Sequence, residues 1–123
     1  MSKQERIDKH LVSEFEKIAK GQYFKTSDGA EVKILTTKAP KETSIGYTLL
    51  LIPGWGSVIL GWDQLLMEVI NDLDILYIES REKGSFRLSE NKTVNNISRL
   101  ALDVKEIVEH LKIDQDRLVT LTS

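Results

Sequence analysis

Gly54-Trp55-Gly56-Ser57, directly after the apolar run Leu49-Leu50-Leu51-Ile52-Pro53, is the stretch of this chain best suited to chemistry. Glycines let the backbone approach a bound group closely, and open α/β sheets place their ligands at the carboxyl ends of buried strands. Acyl transfer through a tetrahedral intermediate needs two backbone N–H groups aimed at the developing oxyanion. Trp55 is the expected source of one such N–H, with Gly54 and Gly56 permitting the orientation. A tight turn carrying a packed indole is the alternative that these residues alone leave open. A dinucleotide-binding turn, with Glu79 as its acidic partner, is a second alternative. It lacks the third glycine, since Ile59 stands there.

Other candidate groups are weaker. Glu106, Glu109 and His110 have a spacing similar to helical metal motifs, but the second histidine of such a site is missing, so a solvated charged face is the expectation. His10 reads as a surface residue, and neither histidine falls where a general base is needed. The chain has no cysteine, which excludes disulfides, thiolate metal sites and cysteine nucleophiles. Neither a cofactor nor a metal is expected.

These residues need a scaffold, and the chain of 123 residues is long enough for one domain with a real core. Leu49 to Ile52 has no polar alternation and reads as a strand buried on both faces. Ile59 to Ile70 reads as a helix, with Trp62 on its packed side, and Asp74 to Ile78 as a second short buried strand. One helix length between two buried strands is the mark of a right-handed βαβ crossover. Val94, Ile97, Leu100, Ala101, Val104, Ile107, Val108 and Leu111 recur at helical spacing, and Arg117 to Leu121 follows as a last strand. Ahead of these, Tyr23 to Thr26 and Glu31 to Leu35 flank the turn Ser27-Asp28-Gly29 and predict a β-hairpin. Ser2 and Glu5 have capping-box spacing, and the stripe Ile7, Leu11, Val12, Phe15, Ile18, Ala19 predicts an amphipathic helix ended by Gly21. The class is α/β, an antiparallel hairpin leading into a mostly parallel sheet with flanking helices.

The net charge of −2, with acids and bases interspersed, leaves no basic stripe for phosphates, so nucleic acid is not an expected partner. No apolar run is long enough to span a bilayer, and the amino terminus is not patterned as a secretory signal. A cytoplasmic address is the expectation, which makes the glycosylation patterns at Asn91-Lys92-Thr93 and Asn96-Ile97-Ser98 coincidental.

In order and spacing, the segments from Phe24 onward resemble the first half of the α/β-hydrolase family. Thr26-Ser27-Asp28-Gly29 is similar to the family's opening hairpin. Leu50-Leu51-Ile52-Pro53-Gly54-Trp55-Gly56-Ser57 resembles its oxyanion loop, with Pro53 where histidine is usual. Glu79-Ser80-Arg81-Glu82-Lys83-Gly84-Ser85 resembles the Asp-x-Arg-Gly-x-Gly loop, with Glu79 for the aspartate and Glu82 for the first glycine. Glu79 and Arg81 would brace that loop, although a solvated pair of little energetic value fits them as well. Asp116-Arg117-Leu118-Val119-Thr120-Leu121-Thr122-Ser123 resembles the run into a Gly-x-Ser-x-Gly nucleophile elbow.

The resemblance implies residues 22–123 as the front part of a hydrolase domain, cut at the elbow, with residues 1–21 as an amino-terminal helix. In the favoured register Thr122 takes the elbow's first glycine position and the nucleophile is the residue after Ser123. A shift by one makes Ser123 the nucleophile but puts Leu121 where the strained turn requires a small residue. The family's acid and histidine lie later in sequence and are expected to be absent here. The implied reaction is Ser-His-acid hydrolysis of an ester, amide or related acyl bond in a small molecule. The 123-residue chain alone is expected to be inactive. The alternative from another class is a non-catalytic hydrolase-like interaction module. Self-association through an uncovered carboxyl-terminal strand is a further expectation.

Overall fold

The computed structural model describes residues 13–53, 59–79 and 97–122. Along the chain lie α1 (Glu14–Ile18), β1 (Lys20–Lys25), β2 (Glu31–Thr37), β3 (Thr48–Ile52), a 3-10 turn (Ile59–Trp62), α2 (Asp63–Val69), β4 (Asp74–Glu79), α3 (Ile97–His110), a second 3-10 turn (Gln115–Arg117) and β5 (Leu118–Thr122). The strands form one sheet in the order β1-β2-β4-β3-β5. β1 and β2 are antiparallel, as are β2 and β4, while β3 runs parallel to both of its neighbours, β4 and β5. The hairpin and the parallel pairing of the two buried strands expected from the pattern are therefore present.

Local chemistry explains each element. The β1–β2 turn closes where Gly29 takes a φ of 89° and the Asp28 carboxylate accepts from the Thr26 hydroxyl at 2.6 Å. β3 and β4 sit inside the sheet, which is why Leu49, Leu50, Leu51 and Ile75, Leu76, Tyr77, Ile78 are all buried. Successive side chains point to opposite faces and feed two cores. Leu49, Leu51, Ile75 and Tyr77 pack with Phe15 of α1 and Leu66 of α2, and Trp62 packs against this cluster. Leu50, Leu76 and Ile78 pack with Val32, Ile34 and with Ile107 and Val108 of α3. α3 ends as Lys112 turns into the left-handed region at φ 55°, with the Ile113 N–H donating to the Val108 carbonyl at 3.2 Å. That is the bond a Schellman cap makes, here without the usual glycine.

The amino-terminal helix departs from its expected limits. Ser2 and Glu5 lie outside the described residues, and the capping box that the structure contains is Ser13 with Glu16. Ser13 is extended, at φ −70° and ψ 147°, so its hydroxyl can accept from the Glu16 N–H at 3.0 Å and cap the start of α1. The helix ends at Ile18, and Gly21 belongs to β1, where a Cβ would come within 3.3 Å of Leu35 Cδ2. Of the described residues of the predicted stripe, Phe15 is buried, Ala19 is half-buried and Ile18 is exposed. Phe15 fills the same core as Leu35 and Tyr77, so α1 is part of the domain's packing. The expected helix from Ile59 is likewise divided, its first turn being 3-10.

Candidate active site at the carboxyl ends of the parallel strands

The parallel register sets the geometry. Leu51 of β3 lies beside Tyr77 of β4 and Leu121 of β5, and Ile52 lies beside Thr122. The three strands therefore finish at one end of the sheet, with Ile52–Pro53, Ile78–Glu79 and Thr122 as their last described residues. The helix that follows β3 packs on one face and the helix that follows β4 packs on the other. Two adjacent strands whose connections leave to opposite faces open a crevice outside their carboxyl ends, and that is where α/β sheets bind ligands.

Pro53 is fully buried at the top of β3. Glu79 ends β4 half-buried, opposite Lys33 of β2. Beneath it, burial and then the charges of Glu79 and Glu16 push the Tyr77 phenol well above its ordinary range, so the ring stays neutral. Of the residues singled out from sequence, Glu79 and Thr122 are placed at this end. Gly54, Trp55, Gly56, Arg81 and Ser123 lie outside the described residues, as does His10.

His110 is exposed on the last turn of α3, its ring 5.1 Å from that of Phe24 and tilted by 59°. Among the described residues no group of side chains could hold a metal ion, and no helix is long and apolar enough to cross a membrane. Glu106 departs from the expected solvated face. It accepts from Arg99 and from the Ser27 N–H, in a network that pattern reading missed. The i, i+4 and i, i+7 spacing of Arg99, Asp103 and Glu106 was its only sequence signal.

A cavity of about 850 Å³ lies at the opposite end of the sheet, lined by Lys20, Thr37, Thr48, Asp74, Ile70 and Leu111 among others. Thr48 and Asp74 are the first residues of β3 and β4, so the cavity is separate from the crevice. Lys38 and Asp74 pair at its rim, 3.3 Å apart.

This arrangement of strands and helices has clear counterparts among solved structures. The chain is similar to an α/β-hydrolase from Novosphingobium aromaticivorans, with a TM-score of 0.69 and 16% identity over 84% of this chain and 34% of that chain. It is similar also to a hydrolase from Pseudomonas aeruginosa, with a TM-score of 0.63 and 23% identity over 82% of this chain and 36% of that one. No family model matches the chain, and no curated protein resembles it in sequence. The fold is the amino-terminal part of an α/β-hydrolase fold. The chain spans about a third of the length of the solved chains it matches.

Proposed function

We propose that this chain is the front portion of a serine hydrolase that cleaves an ester, amide or related acyl bond in a small molecule. The observation that carries the reading is the strand order β1-β2-β4-β3-β5, with β4, β3 and β5 finishing together at one crevice. The crevice lies directly before Gly54-Trp55-Gly56 on one strand and directly before Ser123 on its neighbour.

In this reading the Trp55 backbone N–H donates to the tetrahedral oxyanion, and Glu79 with Arg81 braces the loop after β4. The second oxyanion donor is the residue after the nucleophile. The nucleophile itself follows Ser123, because Thr122 is a better fit than Leu121 beneath a sharply turned elbow. A histidine and an acid from later sequence complete the triad, and water resolves the acyl-enzyme.

The test compares Trp55→Ala with Trp55→Pro in a polypeptide that carries the sequence downstream of Ser123. Trp55→Ala keeps the N–H and should retain much of the activity. Trp55→Pro removes it and should lower kcat by about two to three orders of magnitude. Circular dichroism must first show that both variants fold, because proline also restricts Gly54. Equal losses in the two folded variants would place the effect in the indole and defeat the assignment of the amide.

A further inference from the structure

α1 has five residues, too few for a helix to persist in water on its own, so contacts from outside must hold it in place. The first N–H groups of a helix find no acceptor within it. In α1 the Ser13 hydroxyl accepts from the Glu16 N–H at 3.0 Å. The Phe15 N–H instead donates to Asp63 Oδ1 at 2.9 Å, across 48 positions of sequence. Asp63 is the first residue of α2, where the helix dipole favours a negative charge, and Trp62 before it supplies no side-chain cap. One carboxylate therefore serves the start of α1 while it stands at the start of α2.

Apolar packing runs through the same junction. Phe15 is fully buried, its ring centroid 6.4 Å from that of Tyr77. Ile59, at the head of the 3-10 turn, belongs to the same cluster, and Trp62, at its end, packs against it. On the other side of the candidate loop, Pro53 is buried at the end of β3. In sequence the loop thus lies between two buried residues, Pro53 and Ile59. A displacement of about 1 Å passed on from a distant support can cost up to about a hundredfold in rate, so whatever fixes the second anchor bears on the chemistry.

We propose that Asp63 is a positioning residue. Its carboxylate seats α1 against the start of α2 and so holds the turn Ile59–Trp62, into which the chain passes after Gly54-Trp55-Gly56-Ser57. The effect of this seating on turnover rests on the hydrolase reading, whereas the seating itself does not. What matters is an acceptor at the Oδ1 position. Asparagine keeps one and alanine does not.

Amide exchange at Phe15, referenced to Leu50 in the core, is measured on the 123-residue chain as wild type, Asp63→Ala and Asp63→Asn. Alanine should speed exchange at Phe15 about tenfold or more, and asparagine should keep it within about twofold of the wild type. A polypeptide that continues past Ser123 then gives kcat and KM. There kcat is expressed per site titrated by a fluorophosphonate, so that the folded fraction does not enter. Asp63→Ala should lower kcat about three- to tenfold with KM within about twofold, and Asp63→Asn should restore kcat. If Asp63→Ala does not fold, Asp63→Ser, whose hydroxyl stops one bond short of Oδ1, replaces it with the same expectations. Unchanged exchange at Phe15, an unchanged kcat, or an asparagine variant as impaired as alanine would overturn the proposal. A wild type without turnover would end the hydrolase reading and the proposal together. An active wild type matched by Asp63→Ala would end the proposal alone.

Discussion

The two outer strands of the sheet occupy equivalent positions and are built from different chemistry. Among the described residues, β1 and β5 each pair on one side. β1 carries exposed Lys20 and Lys25 at its ends. Charged side chains on an edge oppose the docking of another strand, so β1 is blunted. β5, Leu-Val-Thr-Leu-Thr, has no charged residue, and Val119 is 48% exposed. Leu118 and Leu121 pack at the margins of the two cores. Uncharged, β-branched sequence of this kind suits a strand paired on both sides. The strand that lacks protection is also the one whose carboxyl end lies beside Ile52, next to the candidate site. An edge is thus defined by its composition as much as by its place in the sheet.

The largest expected contrast lies between that margin and the interior. Leu51→Ala removes a fully buried side chain from β3 and should cost about 2–5 kcal/mol in urea unfolding, whereas Val119→Ala should stay within about 0.5 kcal/mol. Similar losses at both positions would show that β5 is as tightly packed as β3.

The interior also predicts a pH dependence. Burial and the neighbouring carboxylates raise the Tyr77 pKa above its ordinary value of 10.0, so the folded state keeps the proton where the unfolded state loses it. The contribution of Tyr77 is complete below about pH 10 and is lost as pH rises further, by up to about 1.4 kcal/mol per unit. Unfolding free energies measured from pH 8 to 11 check this. A Tyr77→Phe variant with the same alkaline decline would remove Tyr77 from the explanation.

A charge placed on β5 should act more weakly on stability and strongly on association. The 123-residue chain is expected to self-associate, and Val119→Lys should reduce its association constant by about tenfold, or ~1.4 kcal/mol. Lys25→Val should move β1 the other way. Light scattering over a concentration series measures both, and a wild type that stays monodisperse would break the comparison of the edges. A smaller loss of stability belongs to the entry of β5, where the Arg117 guanidinium lies 5.8 Å from the centre of the Tyr47 ring. Tyr47→Leu should cost about 0.5–1 kcal/mol, again by urea unfolding.

What the sequence revealed depended on the range of the interaction. Leu49 to Ile52 and Ile75 to Ile78 are short continuous apolar runs, the pattern of strands buried on both faces. Ser27-Asp28-Gly29 announced the hairpin because its turn chemistry is local. α1 was harder, since the stripe through Phe15 and Ile18 is as periodic as a longer helix would be, and only the cap at Ser13 and the strand that begins at Lys20 set its limits. The Arg99 network was missed, because its partners Ser27 and Asp28 are brought near only by the finished sheet and its one trace in the sequence is a spacing within α3. For the site, the strand ends at Pro53, Glu79 and Thr122 converge as the crossover pattern implies. The chemistry assigned to Trp55 and to the position after Ser123 rests on their place in the sequence beyond those ends.

That assignment is tested most directly by labelling with a fluorophosphonate probe, followed by peptide mapping. The 123-residue chain and a longer polypeptide that continues past Ser123 are treated in parallel. The account predicts no labelling of the 123-residue chain and stoichiometric labelling of the longer one at the residue after Ser123. Modification of Ser123 itself, or a folded longer polypeptide that takes up no probe, would contradict it.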